Sequence, residues 1–462
     1  MGSVEHLIIA NASSETANAY ISIFWIALVA MLSPLLSALT KKKIPDVVIL
    51  LLLGAIIGPN VLHLADTDNG VELIKELGLG ILFLIAGYEV NTKAMHSRQG
   101  GFALGTWAVC FTLALLASAN FFSEFRNGLD HIAVFAIAMS STALGTILPM
   151  VRANGKTGTK LGDAIMVHGA LGEVMPVFAM SILLSTHSKG FAVLILLGFL
   201  LIALITAILP RRAFAHIPGL GRTMAAGANQ TTQTMLRLAM LILSTLMMFA
   251  AVFNLDVVLG AFAAGIILRS LTPEYAFEPF SERLDVLGFS FLIPLFFICS
   301  GMGIDLKSIA KSPVALILFV LALLILRGLP VFLAERFFDT GSGLQTLNEK
   351  VQLGLYAAAG LPMIVAVTEV ALSHELITES AASLLVGGGA LTILIFPLLA
   401  SGLDAIFRDK DAVIEEKTTK DKITEKKRQR HQSSQLSTSS LPVISQGPDG
   451  RGIDPTKKPV ES

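Results

Sequence analysis

Residues 161–184 read LGDAIMVHGALGEVMPVFAMSILL. The run is about as long as a helix needs to cross a hydrocarbon core of roughly 30 Å, and it holds Glu173 at its midpoint. An acid at that depth costs on the order of 2.5–3.5 kcal/mol to insert, so an ionisable site inside a membrane becomes the first functional candidate. Protons and metal ions occupy one carboxylate only alternately. Gly169, Ala170 and Gly172 leave room for a hydrated hollow beside it, and Pro176 is expected to weaken the helix just above.

Outward from this stretch the same texture recurs. Of 462 residues, 53% are apolar and 15% charged, with a mean hydropathy of +0.72; soluble domains carry roughly 25% charge. Apolar blocks fall at 19–39, 44–64, 71–89, 100–121, 130–151, 161–184, 190–209, 231–252, 255–270, 286–304, 312–334, 350–373 and 376–402. They predict an all-α polytopic membrane protein with thirteen spans. Soluble-enzyme classes are thereby excluded for 19–402. Neither a nucleophile elbow nor a phosphate loop stands out, and Cys110 and Cys299 offer neither a disulfide framework nor metal-ligand spacing. No cofactor and no nucleic-acid partner are expected; the partner is the bilayer.

Lys and Arg divide unevenly between alternate loops, 15 against 5, which places the richer set in the cytoplasm. Residues 1–18, without Lys or Arg, are then outside, and the tail is inside. The transmembrane domain is expected over 19–407. From 408 to 462 the chain turns charged, then rich in Ser, Thr, Pro and Gly, and reads as a disordered cytoplasmic tail.

Two internal matches bear on architecture. ILFLIAGYEVN (81–91) aligns with LFFICSGMGID (295–305), and LGAIIG (53–58) with LGAFAAG (259–265). Both pairs lie seven spans apart, an odd number, so matched spans cross in opposite directions. That is an inverted repeat, about 19–184 and 231–402 with 190–209 as linker, the arrangement of secondary transporters. Such repeats break corresponding helices near mid-depth. The fifth span carries Ser140, Ser141, Thr142, Gly145 and Pro149, and its partner, the twelfth, carries Gly360 and Pro362. Breaking both there frees carbonyls for a cation and aims half-helix dipoles at one point.

Arg327 is the other deeply placed charge; a buried guanidinium needs an anionic or carbonyl partner. His168 and Asp163 lie on the cytoplasmic half of the Glu173 span as a possible proton path. Glu89 and Glu369, close to span ends, are expected to pair or snorkel there.

Six stretches in order, LLLGAIIGPNVL, LGLGILFLIAGYEVN, AMSSTALGTILPMVRANG, LDVVLGAFAAGIILRS, FLIPLFFICSGMGIDL and GLYAAAGLPMIVAVTEV, resemble the Kef-type branch of monovalent cation:proton antiporters, within the sodium/hydrogen exchanger superfamily. The resemblance covers about 19–402. It implies the sodium/proton antiporter fold, with a dimerisation bundle, a mobile core bundle and two crossed discontinuous helices. It also implies a homodimer of a bacterial inner membrane exchanging Na⁺ or K⁺ for H⁺ by elevator-like alternating access. On that basis Glu173 is expected to hold proton or cation, completed by Ser141, Thr142 and carbonyls near Gly360, with Arg327 as a charge partner. One departure matters: many members carry an Asp pair or Gln-Asp where this chain has Gly172 and Glu173. A single acid favours electroneutral 1:1 exchange. An ion-coupled organic-anion carrier and a ligand-gated K⁺ efflux channel or sensor are the alternatives on the same fold.

Overall fold

The computed structural model describes residues 2–40, 44–90, 95, 97–121, 128–184, 234–253, 255–273 and 276–403, with 194, 197–199, 201, 203 and 205 between. The expected linker span 190–209 lies mostly outside these residues, and the expected tail 408–462 wholly outside. The helices are α1 (Gly2–Leu39), α2 (Asp46–Ile57), α3 (Asn69–Glu89), α4 (Arg98–Phe121), α5 (Leu129–Ser140), α6 (Leu144–Ala153), α7 (Lys160–Leu183), α8 (Thr234–Val252) and α9 (Val257–Leu271). There follow α10 (Phe277–Met302), the short α11 (Leu306–Lys311), α12 (Pro313–Phe337), α13 (Leu347–Ala357), α14 (Leu361–Ser373) and α15 (Glu379–Leu403).

In lipid a backbone amide has no water to turn to, so helix ends need partners from the chain itself. Asp68 caps α3 by accepting the Val71 N–H at 3.1 Å. Asp256 caps α9 from Val258 at 2.8 Å, and Thr159 caps α7 from Gly162 at 3.1 Å. Thr346 and Glu349 open α13 with a reciprocal capping box.

Among the described residues nine helices are long and apolar enough to cross a bilayer, counting the α5–α6 and α13–α14 pairs as one crossing each. The apolar α2 and α9 are shorter. Two expected boundaries move. The 44–64 block is helical only over Asp46–Ile57, because Gly58 and Pro59 end it and the chain then runs without helix to Asp68. At the other end of the first span, α1 reaches back to Gly2.

Two bundles emerge from the packing. The first comprises α1, α2, α3, α8, α9 and α10; the second comprises α4, α5, α6, α7, α12, α13 and α14. α15 lies against the second, with Gly388 on Phe319 and Gly389 on Ile364 and Leu361. The first bundle is held by two backbone-close crossings. α3 meets α9 where Gly87 and Gly265 face each other, and a Cβ on Gly265 would sit 2.7 Å from the Tyr88 amide nitrogen. α2 meets α10 at Gly54 and Gly301, where a Cβ on Gly301 would sit 3.0 Å from the Leu51 Cα. With little hydrophobic force between helices in lipid, such close approach and its dispersion contacts do the holding. Outward faces carry exposed apolar side chains, among them Met31, Leu73, Leu241, Val286 and Val314.

Candidate ion-binding site

The second bundle contains two interrupted helices that meet. One break separates α5 from α6 at residues 141–143, and the other separates α13 from α14 at 358–360. The first does not fall at Gly145 or Pro149, as the sequence suggested; both lie inside α6. Its cause is the Ser-Ser-Thr run. The Ser140 hydroxyl donates to the Ile137 carbonyl at 3.2 Å and that of Ser141 to Ala138 at 2.8 Å. Side chains thus take carbonyls that the next helical turn would have used. The second break does coincide with Gly360, the residue before α14, and with Pro362 in its first turn, a position proline tolerates because that N–H needs no helical partner.

Each broken strand then satisfies the other. The Ala143 N–H donates to the Ala359 carbonyl at 2.7 Å, and the Thr142 hydroxyl donates to Ala357 at 2.6 Å. The Ser141 hydroxyl also reaches the Gly360 carbonyl at 3.5 Å. α7 passes alongside as a continuous helix through Pro176. Proline has no N–H, so the carbonyl four residues earlier, Gly172, loses its helical donor. The Thr142 N–H takes it at 2.9 Å. Pro176 therefore supplies an acceptor for the break instead of interrupting α7. At Gly172 a Cβ would come within 2.7 Å of Arg327 Nη2, so only glycine lets the three segments close.

Glu173, the next residue, is 3% exposed. Its Oε1 accepts the Gly145 N–H at 3.3 Å, placing the carboxylate at the N-terminal end of α6, where the helix dipole favours negative charge. Its Oε2 is buried and has no hydrogen-bond partner among the described residues. An acceptor left open in this way calls for a proton or a cation.

Arg327 lies fully buried in a π-helical turn of α12, Leu324–Gly328. Its Nε and Nη2 donate to the Thr142 hydroxyl at 3.2 and 3.0 Å, and Nη2 also donates to the His168 carbonyl at 3.2 Å. The guanidinium thus braces the break through carbonyl and hydroxyl oxygens. The Thr142 oxygen, donating once and accepting twice, is fully engaged, while Ser141 and Gly360 sit at the same crossing. The His168 imidazole faces Glu335 on α12, with Nε2 3.8 Å from Oε1, and the other Glu335 oxygen accepts from Thr340 and Ser342 at 3.0 and 2.6 Å. Glu335 was invisible to sequence reasoning because it lies near a span end.

Two cavities flank α6. One, of about 590 Å³, is lined by Asp46, Gly145, Thr146, Asn154, Phe297 and Ser401. It reaches the same Gly145 backbone that holds Glu173. The other, of about 530 Å³, is lined by Glu89, Arg152, Asp163, Ala170 and Glu278 and climbs α7 to within one turn of Glu173. Asp163 thus lines the second cavity, whereas His168 lines neither.

Fold and site define a class: a helical multi-pass membrane protein with a buried carboxylate, Glu173, beside the crossing of two interrupted helices. The transmembrane model of the sodium/hydrogen exchanger family matches residues 27–401, and the chain belongs to that family. It is similar to "Putative Na(+)/H(+) antiporter YjbQ" of Bacillus subtilis, 24% identical over 69% of this chain and 53% of that protein, so the chain spans about half the length of that relative. It is also similar to "Probable Na(+)/H(+) antiporter 3" of Methanocaldococcus jannaschii, at 23% identity over 70% of this chain and 83% of the relative. Among solved structures, the sodium proton antiporter MjNhaP1 of Methanocaldococcus jannaschii at pH 8 superimposes with a TM-score of 0.58 at 20% identity. That likeness covers 83% of this chain and 96% of the other and establishes the fold.

Proposed function

We propose that this protein exchanges a monovalent cation, Na⁺ or K⁺, for protons by alternating access, with Glu173 holding one or the other. The observation that carries the reading is the unpartnered Glu173 Oε2 beside the α6 N-terminus, served by cavities on both sides of α6. The relatives' names favour Na⁺. Dehydrating a cation needs replacement oxygens, and the carboxylate with carbonyls released at the two breaks supplies them once the crossing loosens. Arg327 acts as a brace that holds Thr142 and the first break in place, not as an ion ligand. One carboxylate per site makes the exchange electroneutral, one cation for one proton.

The inverted repeat fits this reading. α2 crosses α10 and α3 crosses α9, and the matches of 81–91 to 295–305 and of 53–58 to 259–265 relate one pair of crossing helices to the other. With it go a Kef-like arrangement and a homodimer, and an N-terminus outside with the tail in the cytoplasm, the orientation being supported by the 15-to-5 division of basic residues. The test is dye-reported exchange in proteoliposomes with Na⁺, K⁺ and Li⁺ in turn. Signal with a cation in the wild type and its loss in Glu173→Gln supports the proposal; equal signal in both removes Glu173 from the mechanism.

A further inference from the structure

Both cavities lie at one end of the bundles, where α6 finishes and α7 begins. The opposite end carries a cluster of charge. Lys75 Nζ lies 3.3 Å from Glu72 Oε1 on its own helix and 3.3 Å from Glu369 Oε1 on α14. The Ser300 hydroxyl of α10 donates to that same Glu369 oxygen at 2.7 Å. Nearby, the Asp305 N–H donates to the Ser383 hydroxyl of α15 at 2.8 Å. Lys75 and Ser300 belong to the first bundle and Glu369 to the second.

Position along the helices separates this cluster from the cavities. Lys75 and Glu89 are nearly four turns apart on α3, about 21 Å, and Glu89 lines a cavity. Glu369 lies about 12 Å along α14 from the break at Gly360. The side chains of Lys75 and Glu369 are 14% and 24% exposed, dry enough for the pair to count more than a surface ion pair does. At the cavity end Arg152, Asp163 and Asn154 are exposed, and Arg98 pairs with Asp339 at 3.2 Å at exposures of 62% and 80%, a contact within the second bundle.

We infer that the Lys75–Glu369 pair, with Ser300, is an interbundle latch that seals the end of the ion route opposite the cavities and must part for Glu173 to reach that side. The inference rests on the alternating-access reading above. It assigns a function to three residues that lie away from Glu173, one of them, Glu369, near the far end of α14 from its break. The latch joins the bundles at a single carboxylate oxygen, so either bundle's displacement breaks both contacts together. That gives a closed state with a defined threshold, not a graded slide.

The test reads accessibility, not transport. Met150 lines the larger cavity; Met150→Cys is placed in the full-length chain with Cys110 and Cys299 replaced by Ser, and its alkylation rate is followed in nanodiscs. Lys75→Met and Glu369→Gln each break the latch. Either one is expected to lower the alkylation rate by roughly fivefold, as molecules shift to the opposite opening. The charge-reversed double variant, Lys75→Glu with Glu369→Lys, is expected to restore the rate, which a merely misfolded single variant does not do. An unchanged rate in both single variants, or a reversed pair no better than either single, overturns the latch. A wild type that exchanges no cation overturns the transport proposal while leaving the alkylation result to stand on its own.

Discussion

Glu173 has one oxygen on the Gly145 amide and one open, while its neighbour in sequence, Gly172, serves the break. On α7 the proposed ion ligand thus stands directly beside the residue that shapes its surroundings. Thr142 ties these together. Thr142→Val keeps the side-chain shape but removes the donor to Ala357 and the acceptor of two Arg327 bonds. Leaving a buried guanidinium and a carbonyl short of partners costs about 1–3 kcal/mol for each neutral group and more for the charge. The expected result is a clear drop in thermal melting temperature in detergent, recovered largely by Thr142→Ser; an unshifted melting curve contradicts the brace. Glu173 itself was legible in the sequence, because an acid at the centre of an apolar span is costly. Its donor was not legible, since no pattern of spacing ties residue 145 to residue 173.

At the scale of the element, the sequence placed breaks in the two right spans yet misplaced the first within its span. Glycine and proline were the signal followed there, but Pro149 falls inside α6, whereas hydroxyls at Ser140 and Ser141 took the carbonyls and ended α5. Pro176 misled in the opposite sense: its missing N–H left α7 intact and released the Gly172 carbonyl to a neighbour. The glycine crossings offer a sharper test. Gly265→Val forces a branched side chain into the α3 backbone, while Gly105, with nothing within 4 Å of its would-be Cβ, tolerates Gly105→Ala. Overpacking of this kind costs typically about 1–3 kcal/mol or more. Gly265→Val should sharply lower the yield of folded, monodisperse protein, and Gly105→Ala should leave it unchanged; equal yields contradict the crossing.

At the scale of the molecule, two bundles meet with cavities at one end and the Lys75–Glu369 pair at the other, and Glu173, the proposed ion ligand, belongs wholly to the second bundle. The helical, membrane-spanning character was legible because an apolar block of membrane length has few other uses. The latch was not, because Lys75 and Glu369 sit far apart in sequence at span ends, where charge is cheap. In the proposed mechanism, competition at one carboxylate sets the pH dependence: the cation binds only ionised Glu173, so lowering the pH on the cation side should raise the apparent KM. In the acid range the rise is about tenfold per pH unit for one proton per site, with no change in maximal rate. A rise near a hundredfold per unit, or a rate that depends on membrane potential, contradicts one-for-one exchange. The most direct measurement of all is cation-driven proton movement in proteoliposomes carrying wild type or Glu173→Gln, folded to the same melting temperature. Robust exchange in the wild type and none above empty liposomes in Glu173→Gln is the predicted result; exchange at an equal rate in both would contradict the central claim.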